Sequence, residues 1–98
     1  MTIDFTNENN NLSVMLNGRL DSSASGDLEN FLEEKISDET ASLTFDFANV
    51  DFVSSKGLRI LVAAYKKMGG RPLSIANANT SVKEILHLSG LLKVFNVA

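Results

Sequence analysis

Ser54 and Ser55 are the residues whose types and spacing best suit a chemical switch. Lys56 follows them and Arg59 lies one helical turn further on, and the apolar pattern changes here from strand-like to helical spacing. A phosphate at this helix start would meet unpaired amide N–H groups, the positive end of the helix dipole and two cations. It would add a charge of about −1.5 to −2 near Asp51. From the residues alone, the serines are either plain helix caps or a modification site.

The sequence favours a binding protein over an enzyme. It contains no cysteine and a single histidine, His87, which lies between two leucines of a helical segment and is expected at the surface. Neither a Gly-x-Ser-x-Gly elbow nor a Ser-x-x-Lys pair surrounds Ser55, and no phosphate-binding or dinucleotide-binding glycine pattern occurs. The candidate metal ligands are scattered acids without metal-site spacing, namely Asp21, Asp46 and Asp51. We therefore predict no catalytic residue, no metal and no cofactor.

The length and the net charge limit which kinds of protein and of binding partner fit this sequence. With 98 residues, 44% hydrophobic and 21% charged, the chain fits one globular domain spanning residues 1–98. A net charge of −3 and a pI of about 5.0, without a basic stripe, argue against nucleic acid as a partner. No apolar run reaches the roughly 20 residues of a membrane span, and no secretory signal begins the chain. We expect a cytoplasmic protein without direct membrane insertion.

Alternating and helical spacings predict an α/β fold. Two alternating segments flank an Asn-rich turn at Asn9–Asn11 and form an antiparallel hairpin with one buried face. Ile3 and Phe5 contribute to that face from the first strand, and Leu12, Val14 and Leu16 from the second. Helix, strand, helix, strand and helix follow, so right-handed crossovers predict a mixed, mainly parallel sheet of four to five strands flanked by helices.

Two further predictions concern packing. The second helix is expected to bury one apolar face and to stop at Gly69-Gly70. That face comprises Leu58, Leu61, Val62, Tyr65 and Met68. The apolar tail is expected to pack against the domain or to pair with a sheet edge; it comprises Leu91, Leu92, Val94 and Phe95.

Three motifs resemble the STAS domain family, which includes bacterial anti-sigma-factor antagonists. They are the stretch from Phe45 to Leu61 with Val50-Asp51-Phe52-Val53-Ser54-Ser55-Lys56-Gly57-Leu58 at its centre, Gly18-Arg19-Leu20-Asp21, and Ser89-Gly90-Leu91-Leu92-Lys93-Val94-Phe95. Together they cover nearly the whole chain in the family's order of elements. The resemblance implies a mixed sheet flanked by helices.

The resemblance also assigns roles to residues. Aligned on Gly57, the residue that the family phosphorylates at the start of the second helix is Ser55. Ser54 stands where many members carry Asp and is the reserve site, and Lys56 stands where a small residue is usual. Asp21 matches a loop acid that contributes to partner contact, although it is equally a loop acid that stabilises the first helix. The implied partner-binding set is Asp21, Ser54, Ser55, Lys56 and Arg59.

Two functions follow from the resemblance. As an antagonist, the unphosphorylated protein binds an anti-sigma factor serine kinase and so frees a sigma factor for transcription. Phosphorylation at Ser55 breaks the complex, and a serine phosphatase reverses the modification. The alternative is a constitutive scaffold subunit of a membrane transport complex, in which Ser55 caps the second helix within a permanent interface.

Overall fold

The computed structural model describes residues 1–91 and the backbone of a short strand at 96–97. In this part of the chain it has five strands and three helices in the predicted order. Their bounds are β1 Thr2–Glu8, β2 Asn11–Leu20, α1 Ser22–Lys35, β3 Ser42–Val53, α2 Ser55–Met68, β4 Leu73–Ala76, α3 Thr80–Leu88 and β5 Asn96–Val97.

The strands form one five-stranded sheet in the order β1-β2-β3-β4-β5. β1 pairs antiparallel with β2, and every later neighbour pair is parallel, which confirms the predicted mixed, mainly parallel sheet with an N-terminal hairpin. Because successive strands add in one direction, right-handed crossovers place α1, α2 and α3 on the same face of the sheet.

The hairpin turn follows from two asparagines in left-handed conformation. Asn9 and Asn10 have φ of 53° and 66°, which suits the two-residue turns that match strand twist. The inner face of β2 is buried as predicted, whereas Phe5 on the edge strand β1 is 44% exposed. Phe5 instead packs edge-on against Phe31 of α1, with ring centroids 5.3 Å apart. The helices cover this edge of the sheet only in part, so the alternation of apolar residues in β1 overestimates how far they are buried.

The core lies between the helices and the sheet face that carries the buried strand residues. Phe45 and Phe47 of β3 are its largest fully buried side chains. The opposite face of the sheet carries half-buried polar side chains, with Ser13, Thr44 and Ser74 in lateral register. One face of the sheet therefore packs against the helices, and the other carries polar side chains.

The buried face of α2 differs from the predicted one. Leu61 and Met68 are buried as expected, but the stripe is completed by Ile60 and Ala64. The remaining predicted residues lie beside it: Leu58 and Val62 are half-buried, and Tyr65 is 38% exposed. Apolar residues cover more than half of this helix's circumference, so their spacing does not determine which stripe contacts the sheet.

The C-terminal end of α2 is fixed by a glycine and an arginine. Gly69 has left-handed backbone angles, which confirms the predicted helix stop. The Arg71 guanidinium donates to the carbonyls of Met68 and Lys67 at 2.6 and 3.0 Å, and to those of Ser37 and Thr40 at 2.8 and 2.6 Å. Arg71 therefore joins the end of α2 to the loop between α1 and β3.

The predicted C-terminal tail is described only in part. Leu91 is buried in the core, and β5 at 96–97 pairs with β4 at the sheet edge. The tail predictions for Leu92, Val94 and Phe95 lie outside the described residues. Within the described ranges, none of the helices is both long and apolar enough to cross a bilayer.

Candidate functional site

Two helices begin side by side at the C-terminal ends of β2 and β3. Leu20 and Val53 are register partners in these parallel strands, and each is followed within two residues by a helix. The Ser54 N–H donates to the Leu20 carbonyl at 2.9 Å, which joins the start of α2 to the end of β2. We call this region, with Asp21, Ser54 and Ser55, the helix-start edge.

The two serines of this edge have different surroundings. Ser54 is the N-cap of α2, and its Oγ accepts a hydrogen bond from the Gly57 N–H at 3.0 Å. Ser55 is the first residue of the helix and is exposed. Within residues 1–91 its hydroxyl has no hydrogen-bond partner. One hydroxyl is therefore used by the fold and the other is available to solvent.

Asp21 has a structural role at the same edge. It is the N-cap of α1, where its Oδ1 accepts from the Ala24 N–H at 2.9 Å. The Ser25 hydroxyl donates to the Asp21 carbonyl at 2.6 Å and closes the first turn. Of the two roles left open by the sequence, stabilisation of the first helix is observed. Since Asp21 is exposed, a partner can also reach it.

Two cations follow Ser55 on α2, and a third lies at the end of β2. Lys56 and Arg59 on α2 are both exposed, as their positions in the first turns of the helix suggested. A third cation, Arg19, has its guanidinium carbon 4.4 Å from the centroid of the Phe52 ring, its register partner in β3. Sequence reasoning missed Arg19, which precedes the buried Leu20 and therefore lies on the face of the sheet opposite the helices.

A bulge in β3 positions Asp51. Gly18 pairs with Val50 and Arg19 pairs with Phe52, so Asp51 is an extra residue in β3 without a register partner. It is exposed. The bulge adds one carboxylate close to the helix-start edge. Beyond it, the last residues of the two strands, Leu20 and Val53, are register partners.

Gly57 permits the close approach of α2 to β2. A Cβ at this position would lie 2.9 Å from Leu20 Cγ and 3.1 Å from the Leu20 carbonyl oxygen. Because backbone is part of the obstacle, a larger residue would displace the first turn of α2 and with it Ser55.

We expect Gly57→Ala to lower the free energy of unfolding by about 1–3 kcal/mol because the added methyl overpacks this contact. Urea denaturation monitored by circular dichroism measures the change. The matched control is Gly26→Ala in α1, where nothing lies within 4 Å of the added Cβ. That control should gain up to about 1 kcal/mol from helix propensity, and equal effects of the two substitutions would contradict the proposed steric role of Gly57.

Four of the five predicted site residues are exposed, and Ser54 is half-buried. Within the described part of the chain, no group of three or more His, Cys, Asp or Glu side chains is arranged to hold a metal ion. The structure brings Asp21, Ser54 and Ser55 to one edge and exposes Lys56 and Arg59 on the adjoining helix.

Comparisons with known proteins agree on one family. A family model described as STAS domain matches residues 2–98. The chain is 26% identical over 98 residues to the anti-sigma-F factor antagonist RsfB of Mycobacterium tuberculosis, covering 99% of this chain and 80% of RsfB.

Solved structures share the fold. An anti-sigma factor antagonist from Mycobacterium paratuberculosis superposes with a TM-score of 0.88 at 27% identity, covering 98% of this chain and 83% of that one. The anti-sigma factor antagonist SpoIIAA in its unphosphorylated form gives 0.87 at 16% identity, covering 99% and 88%, which supports the fold alone.

Proposed function

The chain belongs to the STAS domain family, and we propose that it is an anti-sigma-factor antagonist controlled by phosphorylation at Ser55. In its unphosphorylated form it binds an anti-sigma factor serine kinase in the cytoplasm, which frees a sigma factor for transcription. Phosphorylation releases the kinase, and a serine phosphatase restores the binding form. The protein acts by binding and catalyses no reaction. The similarity to RsfB and to the mycobacterial antagonist structure supports this proposal.

The observation that carries the proposal is the exposed hydroxyl of Ser55, the first residue of α2, for which no hydrogen-bond partner is found among the described residues. A kinase must bring the accepting hydroxyl into line with the phosphoryl group that it transfers. Ser55 offers such a hydroxyl without any change in the fold. Modification of Ser54 would first disrupt the helix cap, which typically contributes about 1 kcal/mol. Ser55 is thus the proposed site and Ser54 the reserve.

The electrostatics of α2 explain how the protein tolerates the phosphate. At the first turn of a helix, an anion meets free amide N–H groups and the positive end of the helix dipole. Lys56 and Arg59 add two nearby positive charges. The added charge therefore costs the folded protein little. It weakens binding to a partner that presents a carboxylate or an apolar patch to Ser55.

The proposed contact surface follows the exposed residues around Ser55. Ser54 and Asp21 border it on the sheet side, while Lys56 and Arg59 extend it along α2. Asp21 is included because it is exposed although it caps α1. Since both caps hold these residues in fixed positions, the partner meets a preformed surface.

The test is to incubate the protein with an anti-sigma factor serine kinase from the same genome and ATP, and to map the phosphate by mass spectrometry. We expect one phosphate on Ser55. Ser55→Ala should stay unmodified, whereas the matched control Ser54→Ala should still be phosphorylated. Phosphate on neither serine, together with a kinase complex that is insensitive to ATP, would contradict the switch. A stable complex with transporter subunits would instead support the constitutive scaffold.

A further inference from the structure

The two helices that begin at the helix-start edge carry opposite charge. α1 contains four carboxylates and one lysine, whereas α2 contains four cations and no carboxylate. Each helix runs from the C-terminal end of one parallel strand to the start of the next. They therefore lie side by side on one face of the sheet and point in the same direction.

A shallow groove of about 240 Å³ separates the exposed sides of these helices. Its floor is apolar, formed by Leu32, Ile60 and Ala64, and its walls carry Glu29 and Glu33 on α1 and Ala63 and Lys67 on α2.

Among the described residues, no ion pair joins the charges on the two sides of the groove. Lys67 donates its Nζ hydrogen bond at 3.1 Å to the main-chain carbonyl of Glu33 rather than to a carboxylate. In the described ranges the ion pair within 4 Å is Lys35 with Glu34, both on α1, at 3.9 Å. The acidic and the basic helix thus both present unpaired charge to solvent.

A second copy of the chain, rotated by a half-turn about one particular axis, would bring the acidic helix of each copy opposite the basic helix of the other. A half-turn about an axis parallel to the helices places α2 of a second copy across α1 of the first. A half-turn about the perpendicular axis in the same plane would oppose α1 to α1 and bring like charges together. Because opposition of like charges costs free energy, only the first rotation gives a favourable pairing.

The positions of the charges along the helices also match. Both helices have 14 residues and begin at the same edge of the sheet. Glu33 is the twelfth residue of α1, and Lys66 and Lys67 are the twelfth and thirteenth of α2. Glu29, the eighth residue of α1, lies one helical turn before Glu33 on the same wall of the groove. The small side chain of Ala63 lets the facing helices approach.

We propose that this chain forms a symmetric homodimer through the α1–α2 face, with the two-fold axis parallel to the helices. Two helices about 21 Å long bury less than a standard interface, so the dimer is weak and depends on its charges. The rotation keeps both helix-start edges at the same end of the dimer. The two Ser55 hydroxyls are then presented in the same direction, and a partner carrying two binding sites can engage both.

Sedimentation velocity of the full chain tests the proposal. We expect a dimer at about 50 mM salt whose dissociation constant rises at least about tenfold at about 500 mM. The double variants Glu29→Lys/Glu33→Lys and Lys66→Glu/Lys67→Glu should each be monomeric, because each opposes like charges. An equimolar mixture of the two should form a heterodimer, since the swap restores both pairings.

The control is Lys83→Glu on the exposed side of α3, which makes the same charge change as either single lysine substitution and should leave the dimer intact. Circular dichroism confirms that each variant is folded. A wild-type chain that remains monomeric at low salt would overturn the proposal, as would dimers that persist in both double variants. Neither result bears on phosphorylation, because the phosphate-mapping experiment does not depend on dimerisation.

Discussion

Ser55→Asp is expected to weaken binding to an anti-sigma factor serine kinase by roughly 30-fold to several-thousand-fold, or about 2–5 kcal/mol. The carboxylate places a negative charge at the first residue of α2. The helix itself tolerates an anion there, so we expect the loss to arise in the complex, through a carboxylate or an apolar group that the kinase would present to this position. Isothermal titration calorimetry with the purified kinase measures the affinity, and thermal melts establish that the variant remains folded.

The chain offers a closely matched control for this substitution. Thr80 is the exposed first residue of α3, as Ser55 is of α2. Thr80→Asp therefore adds the same charge at an equivalent helix position outside the proposed contact surface. It should bind the kinase like the wild type. If the two aspartate variants bound equally well, charge at Ser55 would not control the interaction.

Arg71→Ala is expected to lower the free energy of unfolding by about 2–3 kcal/mol, a large loss for a polar residue near the surface. Arg71 donates four hydrogen bonds to carbonyls on α2 and on the loop between α1 and β3. Each such bond contributes about 0.5–1.5 kcal/mol net. Truncation also removes a positive charge from the C-terminal end of α2, where cations are favourable. The melting temperature should fall by about 10 °C or more.

Thermal and urea denaturation measure the Arg71 effect against Arg59→Ala. Arg59 is an exposed arginine of α2 whose side chain has no hydrogen bond in the described part of the chain. Its truncation should change stability by no more than about 0.5 kcal/mol. Arg71→Lys should fall between the two, since one ammonium cannot reach carbonyls on both segments. A loss for Arg71→Ala no larger than that for Arg59→Ala would contradict this role.

Much of the fold was predictable because local patterns and tertiary packing agree. Leu12, Val14 and Leu16 alternate in the sequence and are buried in β2. Asn9 and Asn10 adopt the left-handed turn that joins β1 to β2, and Gly69 ends α2. The order of elements then determines the parallel pairing through the handedness of crossovers.

The remaining features depend on contacts between distant segments. The apolar residues of α2 occupy several stripes, and packing against the sheet selects Ile60 and Ala64 over Val62 and Tyr65. The hydrogen bonds of Arg71 reach residues 31 and 34 positions away, for which a local pattern gives no signal.

The candidate site shows the same division. The sequence pattern predicted that Ser54 and Ser55 lie at the start of a helix, and the structure confirms this position. The distinction between the capping hydroxyl of Ser54 and the unbonded one of Ser55 required the geometry of the Gly57 N–H. The sequence also left Asp21 with two alternative roles, and the backbone conformation of its cap was needed to identify one of them.

The hydrogen bond between the Ser54 N–H and the Leu20 carbonyl has a consequence for the speed of regulation. Because the start of α2 is tied to β2 and both helices are capped, we expect a phosphate at Ser55 to act through its charge and its volume without a change in the backbone. Such a response needs no slow rearrangement before the partner departs. The lifetime of each signalling state is then determined by kinase and phosphatase turnover and by dissociation of the complex.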